Sequence, residues 1–388
     1  MERCDVLIVG AGPAGLASAA CLAQRNISFI LIEAESLVGA RWRRHYDRLC
    51  LHTTKTRSTL PGLSFPREVG IYPSRSQVVA YLETYAAQFG IKPRFSERLE
   101  RASPSAANGA ARDHGWDVET SSQRYRARDL IMATGLNRTP ARPVWPDQEL
   151  FRGRIVHSAD YRSGAPFSGQ RVLVVGMGNT GAEIALDLQE HGARVCLSVR
   201  SPQNILPRDF LGTPMQVTSM RTAFLPVAVR DAMGRLTSRM AFGDLTPYGL
   251  PAPTYGPATE ILKHGRTPVL DIGTVARIKA GDIEVVPAID MFSESGVMLT
   301  NEATREVDAV VLATGYHSGL AELLVPELLD RTGRPTQETR AARNIHFVGY
   351  RNSLSGLLRQ IGVEAEAVAR AIAGRARLMG RLKAAPTY

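Results

Sequence analysis

The sequence carries the pattern G-x-G-x-x-G twice, once beginning at Gly10 and once at Gly176. Each copy follows a continuous apolar run, at 6–9 and at 171–175, and each precedes a stretch that we predict to be helical. This order is typical of the first βαβ unit of a dinucleotide-binding domain. The glycines allow a tight turn, a close approach to a pyrophosphate and close packing of the helix on the strand. The repeat therefore predicts an α/β fold with two Rossmann-like domains.

The first copy has every part of a nucleotide-binding unit. Strand 6–9 and helix 14–25 flank the turn, and a second strand ends in Glu33, where a carboxylate accepts hydrogen bonds from ribose hydroxyls. This acid favours a ribose without a 2′-phosphate, as in FAD or NAD. We predict that six residues of the unit bind the pyrophosphate and the ribose, namely Gly10, Gly12, Pro13, Ala14, Gly15 and Glu33.

A later apolar strand of the first unit, near 129–136, contains the triplet Ala133, Thr134 and Gly135. The segment resembles the one that closes the nucleotide-binding sheet in flavoproteins with two dinucleotides. This resemblance favours FAD in the first unit. A matching strand at 308–316 contains Gly315 and closes the second unit in the same way.

The second copy lacks the acid at the end of its second strand. Val199 stands where Glu33 stood in the first copy, and Arg200 follows it. An Arg at this place is the usual partner of the 2′-phosphate of NADP, and a solvated residue at a strand end is the alternative. We predict that this unit binds NADP(H) through Gly176, Gly178, Asn179, Thr180, Gly181, Ser198 and Arg200. Two bound dinucleotides imply hydride transfer from the nicotinamide to the flavin.

The order of these units predicts that one domain is inserted in the other. We expect the FAD-binding domain to comprise 1–160 and 311–388, and the NADP-binding domain to comprise 161–310. Residues 203–264 exceed a minimal nucleotide fold and are rich in Pro, Met, Phe and Leu, so we predict a helical insert. Three roles for this insert stay open, namely a wall of the substrate pocket, a pair of core helices and a dimer face. The sequence leaves the oligomeric state open, with a homodimer among the alternatives.

Composition argues against several other classes of function. The net charge is +10, but the excess Arg is spread along the chain, which favours solvated charge and phosphate sites over a nucleic-acid surface. The four cysteines form no C-x-x-C pair, so a dithiol reductase and a metal site are disfavoured. No apolar run is long enough to cross a membrane, and no signal peptide is recognisable. We therefore expect a cytoplasmic protein whose partner is a small molecule.

The segment that joins the two units carries a further pattern. Phe151, Gly153, His157 and Tyr161 match F-x-G-x-x-x-H-x-x-x-[F/Y]. This resembles the signature of class B flavin-dependent monooxygenases, and Tyr at the last position resembles the flavin-containing monooxygenase family within that class. The stretch YDRLCLHTTKTRSTLPGLSFP at 46–66 resembles the YUCCA-type branch. In the family the signature couples the two domains, which implies that His157 organises this junction rather than acting as an acid or a base.

The resemblance implies an NADPH- and O2-dependent monooxygenase. In the family NADPH reduces FAD, and the reduced flavin reacts with oxygen to form a C4a-(hydro)peroxyflavin that oxygenates a small organic substrate. N- or S-oxygenation is the first expectation and oxidative decarboxylation of a 2-oxo acid the second. Baeyer–Villiger oxygenation is a further alternative. The competing interpretations are an NADPH oxidase or flavin reductase, and a flavin-binding redox sensor that does not turn over.

The resemblance also places three residues of one segment near the flavin edge and the nicotinamide, namely His52, Thr53 and Lys55. His52 and Lys55 are the candidates for a catalytic role, although the cofactor itself carries the reactive atom. A packed, hydrogen-bonded His52 and a surface Lys55 are the structural alternatives.

Four more residues are implied on the same ground. Arg41 and Trp42 resemble the pair that flanks the flavin. Arg208 is expected near the adenosine phosphates of NADP. Gly349 lies in the stretch FVGYR, which resembles the closing segment that returns to the flavin.

Overall fold

The computed structural model describes residues 1–105, 115–331, 333, 335–336, 344–378 and 380. Its framework is a pair of sheets, and each glycine turn follows a central strand of one of them. This framework confirms the predicted α/β fold with two Rossmann-like units. The stretch 381–388, which belongs to the predicted range 311–388, lies outside the described residues.

The first sheet contains the strand before the first glycine turn. Its strands are β1 Glu2–Val9, β2 Phe29–Ile32, β3 Leu99–Pro104, β4 Trp116–Thr120, β5 Arg124–Met132 and β20 Ile345–Phe347. Their order is β2-β1-β5-β4-β3, and β20 pairs with the carboxyl half of β5. β1 runs parallel to β2 and β5, and its residues 6–9 are buried. A central parallel strand is covered on both faces, which explains its continuous apolar run.

The second sheet has five strands, all parallel. They are β7 Arg154–His157, β8 Arg171–Val175, β9 Arg194–Ser198, β14 Ile283–Val286 and β18 Ala309–Leu312, in the order β14-β9-β8-β18-β7. β7 and β18 extend the sheet beyond the predicted range 161–310 at both ends, because the strand of the joining segment pairs with β18. The division of the chain into an FAD-binding and an NADP-binding domain stays a prediction.

Helices and short strands complete the two units. The helices are α1 Pro13–Ala23, α2 Ala40–Arg43, α3 Arg75–Gln88, α4 Asn179–Glu190, α5 Met215–Arg221, α6 Val227–Phe242, α7 Pro257–His264, α8 Thr274–Ala280 and α9 Leu357–Leu378. The short strands are β6 Thr139–Pro140, β10 Ile205–Pro207, β11 Asp209–Phe210, β12 Thr213–Pro214, β13 Val269–Asp271, β15 Ile289–Ser293, β16 Gly296–Leu299, β17 Thr304–Glu306 and β19 Tyr316–His317. The predicted insert 203–264 is therefore helical over α5 to α7, and its first part forms β10 to β12.

Each sheet is covered by apolar side chains on both faces. α1, α3 and α9 pack on one face of the first sheet, while α4 and α8 pack on one face of the second. The antiparallel strands β15 and β16 cover the opposite face of the second sheet. In the part of the chain that the structure describes, no helix has the length and apolar character needed to cross a membrane.

Candidate functional site

The two glycine turns have the same backbone geometry. Gly10 has φ +104° and Gly176 has φ +100°, a region that side chains other than glycine rarely enter. A Cβ atom at Gly15 would lie 1.8 Å from the carbonyl oxygen of Gly10, and one at Gly181 would lie 1.8 Å from that of Gly176. The chain itself therefore requires the first and third glycines of both turns.

The middle glycines are different. Gly12 and Gly178 have φ −81° and −89°, which any residue can adopt. Apart from the two chain neighbours, no atom of the described residues lies within 4 Å of a Cβ built on either glycine. Each precedes a helix, α1 or α4, whose first turn has no side-chain cap. The open space in front of uncapped amide groups fits a phosphate group, which a helix N-terminus attracts. The open space before the N-termini of α1 and α4 therefore fits the phosphate groups of two dinucleotides.

Replacing Gly12 by alanine should weaken FAD binding and leave the fold intact. The added methyl group meets only open space in the protein, but it would press on a pyrophosphate with a penalty of about 1–3 kcal/mol, as for other overpacked contacts. FAD titration of the apoprotein measures the affinity, and thermal unfolding of the apoprotein measures the fold. Gly70→Ala is the control, because Gly70 is exposed and also has open space around it. Equal FAD affinity in the two variants would contradict the prediction.

Glu33 reaches back to the first turn. One carboxylate oxygen accepts a hydrogen bond from Ala11 N at 2.6 Å, and the other accepts one from Glu35 N at 3.0 Å. Because Ala11 lies within the first glycine turn, this bond places the half-buried acid beside the glycines, as the sequence predicts. Lone pairs of its oxygens remain for a ribose.

The side chain of Ser198, the last residue of β9, is bonded within the protein. Ser198 is 2% exposed and its hydroxyl donates to Pro287 O at 2.9 Å, and its contact with NADP stays a prediction. Arg200 is exposed, and among the described residues it forms no ion pair. Arg208 is partly satisfied within the protein, because its guanidinium lies 4.1 Å from the Tyr72 ring centre and 3.2 Å from an oxygen of Asp209.

The A-T-G turns close the carboxyl edge of each sheet. Thr134 N and Thr134 Oγ1 lie 3.1 and 2.5 Å from Tyr350 OH, and burial raises the pKa of this tyrosine to about 12. Gly349 has φ +83°, and a Cβ there would lie 3.2 Å from Ala14 at the start of α1. The structure therefore brings Thr134, Gly349 and the first turn together. In the second turn Thr314 Oγ1 donates to Ala141 O at 2.5 Å.

The residues of the signature all contact the second unit. Phe151 packs against Phe292 with ring centres 5.5 Å apart. Gly153 passes so close to the backbone that a Cβ would lie 2.5 Å from Asp308 O. Tyr161, which is 2% exposed, donates to Asp187 of α4 at 2.5 Å. These residues thus hold the joining segment against β15, against α4 and against the residue that precedes β18.

His157 uses both ring nitrogens within the protein. Ala159 N donates to its Nδ1 at 3.0 Å, so the neutral ring carries its proton on Nε2 and donates it to Gly315 O at 3.2 Å. Burial lowers the pKa of His157, which keeps the ring neutral. This geometry ties β7 to the second A-T-G turn and supports the organising role over that of an acid or base.

Arg41 and Trp42 lie on the short helix α2. The Arg41 guanidinium donates to Asn137 O at 2.9 Å and to Arg138 O, and it lies 5.8 Å from the ring centre of Tyr316. It thus joins the segments that follow the two A-T-G turns. Trp42 is half-buried and packs against the apolar core of the first unit.

His45, which follows α2, is predicted to make the stability of the protein depend on pH. Burial, aided by the nearby guanidinium groups of Arg41 and Arg162, lowers the pKa of His45 from 6.5 to about 4. Between these values the unfolded chain binds a proton that the folded chain does not. Stability should therefore fall as the pH drops from 6.5 to 4, by at most about 1.4 kcal/mol per pH unit from this group. In His45→Phe, which keeps a ring against Trp42, the free energy of unfolding measured in urea should change less between pH 6.5 and 4 than in wild type. An unchanged dependence on pH would contradict the role of His45.

His52 belongs to a hydrogen-bonded cluster with Glu183 and Tyr46, which the sequence alone does not predict. Its Nε2 is hydrogen-bonded to the carboxylate of Glu183, which is 2% exposed on α4. The hydroxyl of Tyr46 also bonds to Glu183 and to Thr180. The signal in the sequence was Glu183 and Asp187, two acids one turn apart in an apolar helix, where an acid must find a partner. His52 is thus packed and hydrogen-bonded, and it also lines the cavity described below.

Lys55 is hydrogen-bonded within the protein, which supports the structural alternative to its predicted catalytic role. Its ammonium donates to the backbone carbonyls of Arg67, at 2.8 Å, and of Val69. These bonds hold the loop that follows the 3₁₀ turn Lys55–Arg57. Because the carbonyls come from a distant turn of the loop, spacing in the sequence could not reveal them.

A cavity of about 220 Å³ lies between the two units. His52 and Thr53 line it from the first unit, and all three helices of the insert contribute, for example through Met215, Met233 and Ile261. Of the three roles left open for the insert, this arrangement supports the wall of a substrate pocket.

The buried side chain of Gln216 joins the insert to the first unit through hydrogen bonds. Gln216 of α5 accepts a hydrogen bond from Thr54 N at 2.9 Å and donates to Ser355 O. Its neighbours Thr53 and Gly356 line the cavity, and a Cβ at Gly356 would lie 2.8 Å from Gln216 Nε2. The wall is therefore held in a fixed position against the segments that we predict to lie near the flavin.

Comparisons with known proteins agree with this geometry. The profile of the family described as "Pyridine nucleotide-disulphide oxidoreductase" matches residues 7–209. The chain is 40% identical over 340 residues to a probable indole-3-pyruvate monooxygenase, YUCCA9, of Arabidopsis thaliana, a match that covers 85% of this chain and 79% of that protein. It is 41% identical over 321 residues to the indole-3-pyruvate monooxygenase YUCCA1 of rice, Oryza sativa subsp. japonica, covering 82% and 78%.

Solved structures share the whole fold. A flavin-containing monooxygenase from Stenotrophomonas maltophilia superposes with a TM-score of 0.73 at 22% identity, covering 97% of this chain and 99% of that one. An oxidised steroid monooxygenase bound to NADP superposes with a TM-score of 0.75 at 20% identity, covering 98% and 87%. At these identities the likeness concerns the fold.

Proposed function

The chain belongs to the flavin-containing monooxygenase family and is an FAD-dependent NADPH monooxygenase, and we propose that its substrates are 2-oxo acids. The observation that carries the proposal is the identity of about 40%, across about four fifths of each chain, to enzymes named for indole-3-pyruvate. The fold places a mostly apolar cavity between the two dinucleotide-binding units, which is where such an enzyme needs its substrate.

The residues around the first turn fit FAD, and those around the second fit NADP. We propose that the open positions at Gly12 and Gly178 accept the two pyrophosphates, that Glu33 binds a ribose, and that Arg200 binds the 2′-phosphate. When bound, the flavin activates O2 with electrons taken from NADPH. No side chain of the protein then has to act as a nucleophile.

The overall reaction balances with one O2 and one NADPH. One oxygen atom enters the substrate at C2, the bond between C1 and C2 breaks, and C1 leaves as CO2. The second oxygen atom becomes water, with the electron pair and proton of NADPH and one proton from solvent. The product is a carboxylic acid that is one carbon shorter.

The chain supplies position and a shielded cavity. Gln216 fixes the insert against Thr54, which keeps the cavity wall in place. His157 fixes the second A-T-G turn through Gly315. Apolar lining from residues such as Met215 and Leu354 limits the entry of water.

The test uses the FAD-loaded enzyme with NADPH, ¹⁸O2 and either phenylpyruvate or indole-3-pyruvate. Catalase is included, because free peroxide decarboxylates 2-oxo acids without an enzyme. We expect one shortened acid with one ¹⁸O atom, and one CO2, for each NADPH oxidised. Stoichiometric peroxide without product would indicate an NADPH oxidase. Faster product formation from amines or sulfides would indicate N- or S-oxygenation, and from cyclic ketones Baeyer–Villiger oxygenation.

A further inference from the structure

One face of α6 points into the cavity. The lining residues of this helix are Arg230, Met233, Gly234 and Thr237, at offsets of three, four and seven residues. This spacing puts them on a single stripe of the helix. Arg230 therefore lines the cavity together with the apolar Met233 and the hydroxyl-bearing Thr237.

Arg230 is the one Lys, Arg, Asp or Glu among the described residues that line the cavity. It is half-buried, and within the described ranges its guanidinium forms neither an ion pair nor a side-chain hydrogen bond. His52, the other ionisable lining residue, is bonded to Glu183. A half-buried cation on a mostly apolar wall is unfavourable until an anion joins it, so the cavity is electrostatically complementary to one negative charge.

The adjacent acid does not neutralise this cation. Asp231 is buried, and its carboxylate accepts hydrogen bonds from Ala258 N at 2.8 Å and from Thr259 N at 3.0 Å, at the start of α7. A Cβ at Gly234 would lie 2.4 Å from the ring of Pro257, so α6 and α7 are in close contact. The pair of helices thus holds the backbone of Arg230 firmly and directs the neighbouring carboxylate away from the cavity.

We propose that Arg230 binds the carboxylate of the substrate and that the cavity therefore selects anions with an apolar body, such as aryl 2-oxo acids. This inference rests on the proposed function and adds the residue that determines the substrate class. The planar guanidinium can hold both carboxylate oxygens at once. A charge-assisted contact of this kind changes affinity by about ten- to a hundredfold. The same charge repels protonated amines, so we expect amines to bind more weakly than carboxylates.

The first experiment measures binding without turnover. FAD-loaded protein is titrated calorimetrically with 3-phenylpropanoate, which cannot be decarboxylated oxidatively as a 2-oxo acid can, and with its neutral amide. We expect wild type to prefer the carboxylate. Arg230→Met should weaken carboxylate binding by about ten- to a hundredfold and amide binding by less than about threefold. Arg235→Met is the matched control, because Arg235 is exposed on α6 and does not line the cavity.

The second experiment measures turnover of phenylpyruvate. Arg230→Met should raise KM by about ten- to a hundredfold and change kcat little, since the contact exists in both the ground and the transition state. Arg230→Lys should recover part of the affinity. Equal loss of carboxylate and amide binding, or no loss of either, would overturn the inference.

The two proposals can fail separately. If no 2-oxo acid is oxygenated but Arg230→Met still abolishes the preference for the carboxylate, the proposed reaction falls and the anion site stands. If 2-oxo acids are oxygenated and Arg230→Met leaves both KM and carboxylate binding unchanged, the anion site falls and the reaction stands.

Discussion

Replacing Glu183 by alanine should lower the free energy of unfolding by about 3 kcal/mol or more. The carboxylate is the shared acceptor for Tyr46 and His52, which come from the first unit while Glu183 belongs to α4 of the second. Without it the buried Tyr46 hydroxyl, which keeps its bond to Thr180, and a mostly buried His52 ring nitrogen lose their shared acceptor, and each such loss costs about 1–3 kcal/mol. Glu183→Gln should be less harmful, because the amide oxygen still accepts one hydrogen bond.

Urea unfolding of the FAD-loaded protein measures this effect, and the same helix provides the control. Glu190 is exposed and pairs with Arg48, so Glu190→Ala should change the free energy of unfolding by about 0.5 kcal/mol or less. In a Tyr46→Phe background Glu183→Ala should cost less than in wild type, because one of the two donors is already gone. If the costs are the same in both backgrounds, Tyr46 and Glu183 are not coupled and the cluster does not join the units.

Replacing Arg200 by alanine should reduce the preference for NADPH over NADH by roughly ten- to a hundredfold. This range corresponds to about 1.5–3 kcal/mol, the size of one charge-assisted contact with the 2′-phosphate. The loss should appear in kcat/KM for NADPH, while kcat/KM for NADH stays close to that of wild type. Anaerobic flavin reduction followed by stopped flow measures both values directly.

Arg194 supplies the matched control for this prediction. Arg194 is exposed and begins β9, whereas Arg200 lies two residues after the end of that strand, so Arg194→Ala removes the same charge at a distance from the proposed nucleotide. Its preference for NADPH should equal that of wild type. Should Arg200→Ala keep the wild-type preference as well, the 2′-phosphate is bound by another residue.

The parts of the molecule that depend on local backbone chemistry were predictable. The glycine turns follow from sterics within six residues, so strand 171–175 matches β8 and Glu33 lies beside the first turn. Tyr161 and His157 of the signature are bonded to the second unit, which supports their predicted role at the domain junction. The predicted cofactor contacts themselves stay predictions.

What escaped prediction depends on contacts between distant segments. Lys55 is bound by carbonyls of a loop whose path the sequence does not encode locally. Ser198 turned inward to Pro287 because β9 and β14 are neighbours in the sheet. Residues 181–188 of α4 are all buried, so the helix has no polar face in this stretch. The sequence therefore contains no alternation of polar and apolar residues from which the burial of Glu183 could be predicted.

The position of α4 has a thermodynamic consequence. Its first turn faces the space proposed for the pyridine nucleotide, while Glu183 and Asp187 on its flank are bonded to Tyr46, His52 and Tyr161. A ligand that orders the start of such a helix also favours the bonds along its side. By reciprocity, the ordering of those side chains favours the ligand by the same free energy. If the pyridine nucleotide binds at the start of α4 as proposed, we expect its binding and the order of Tyr46, His52 and Tyr161 to be linked through this helix.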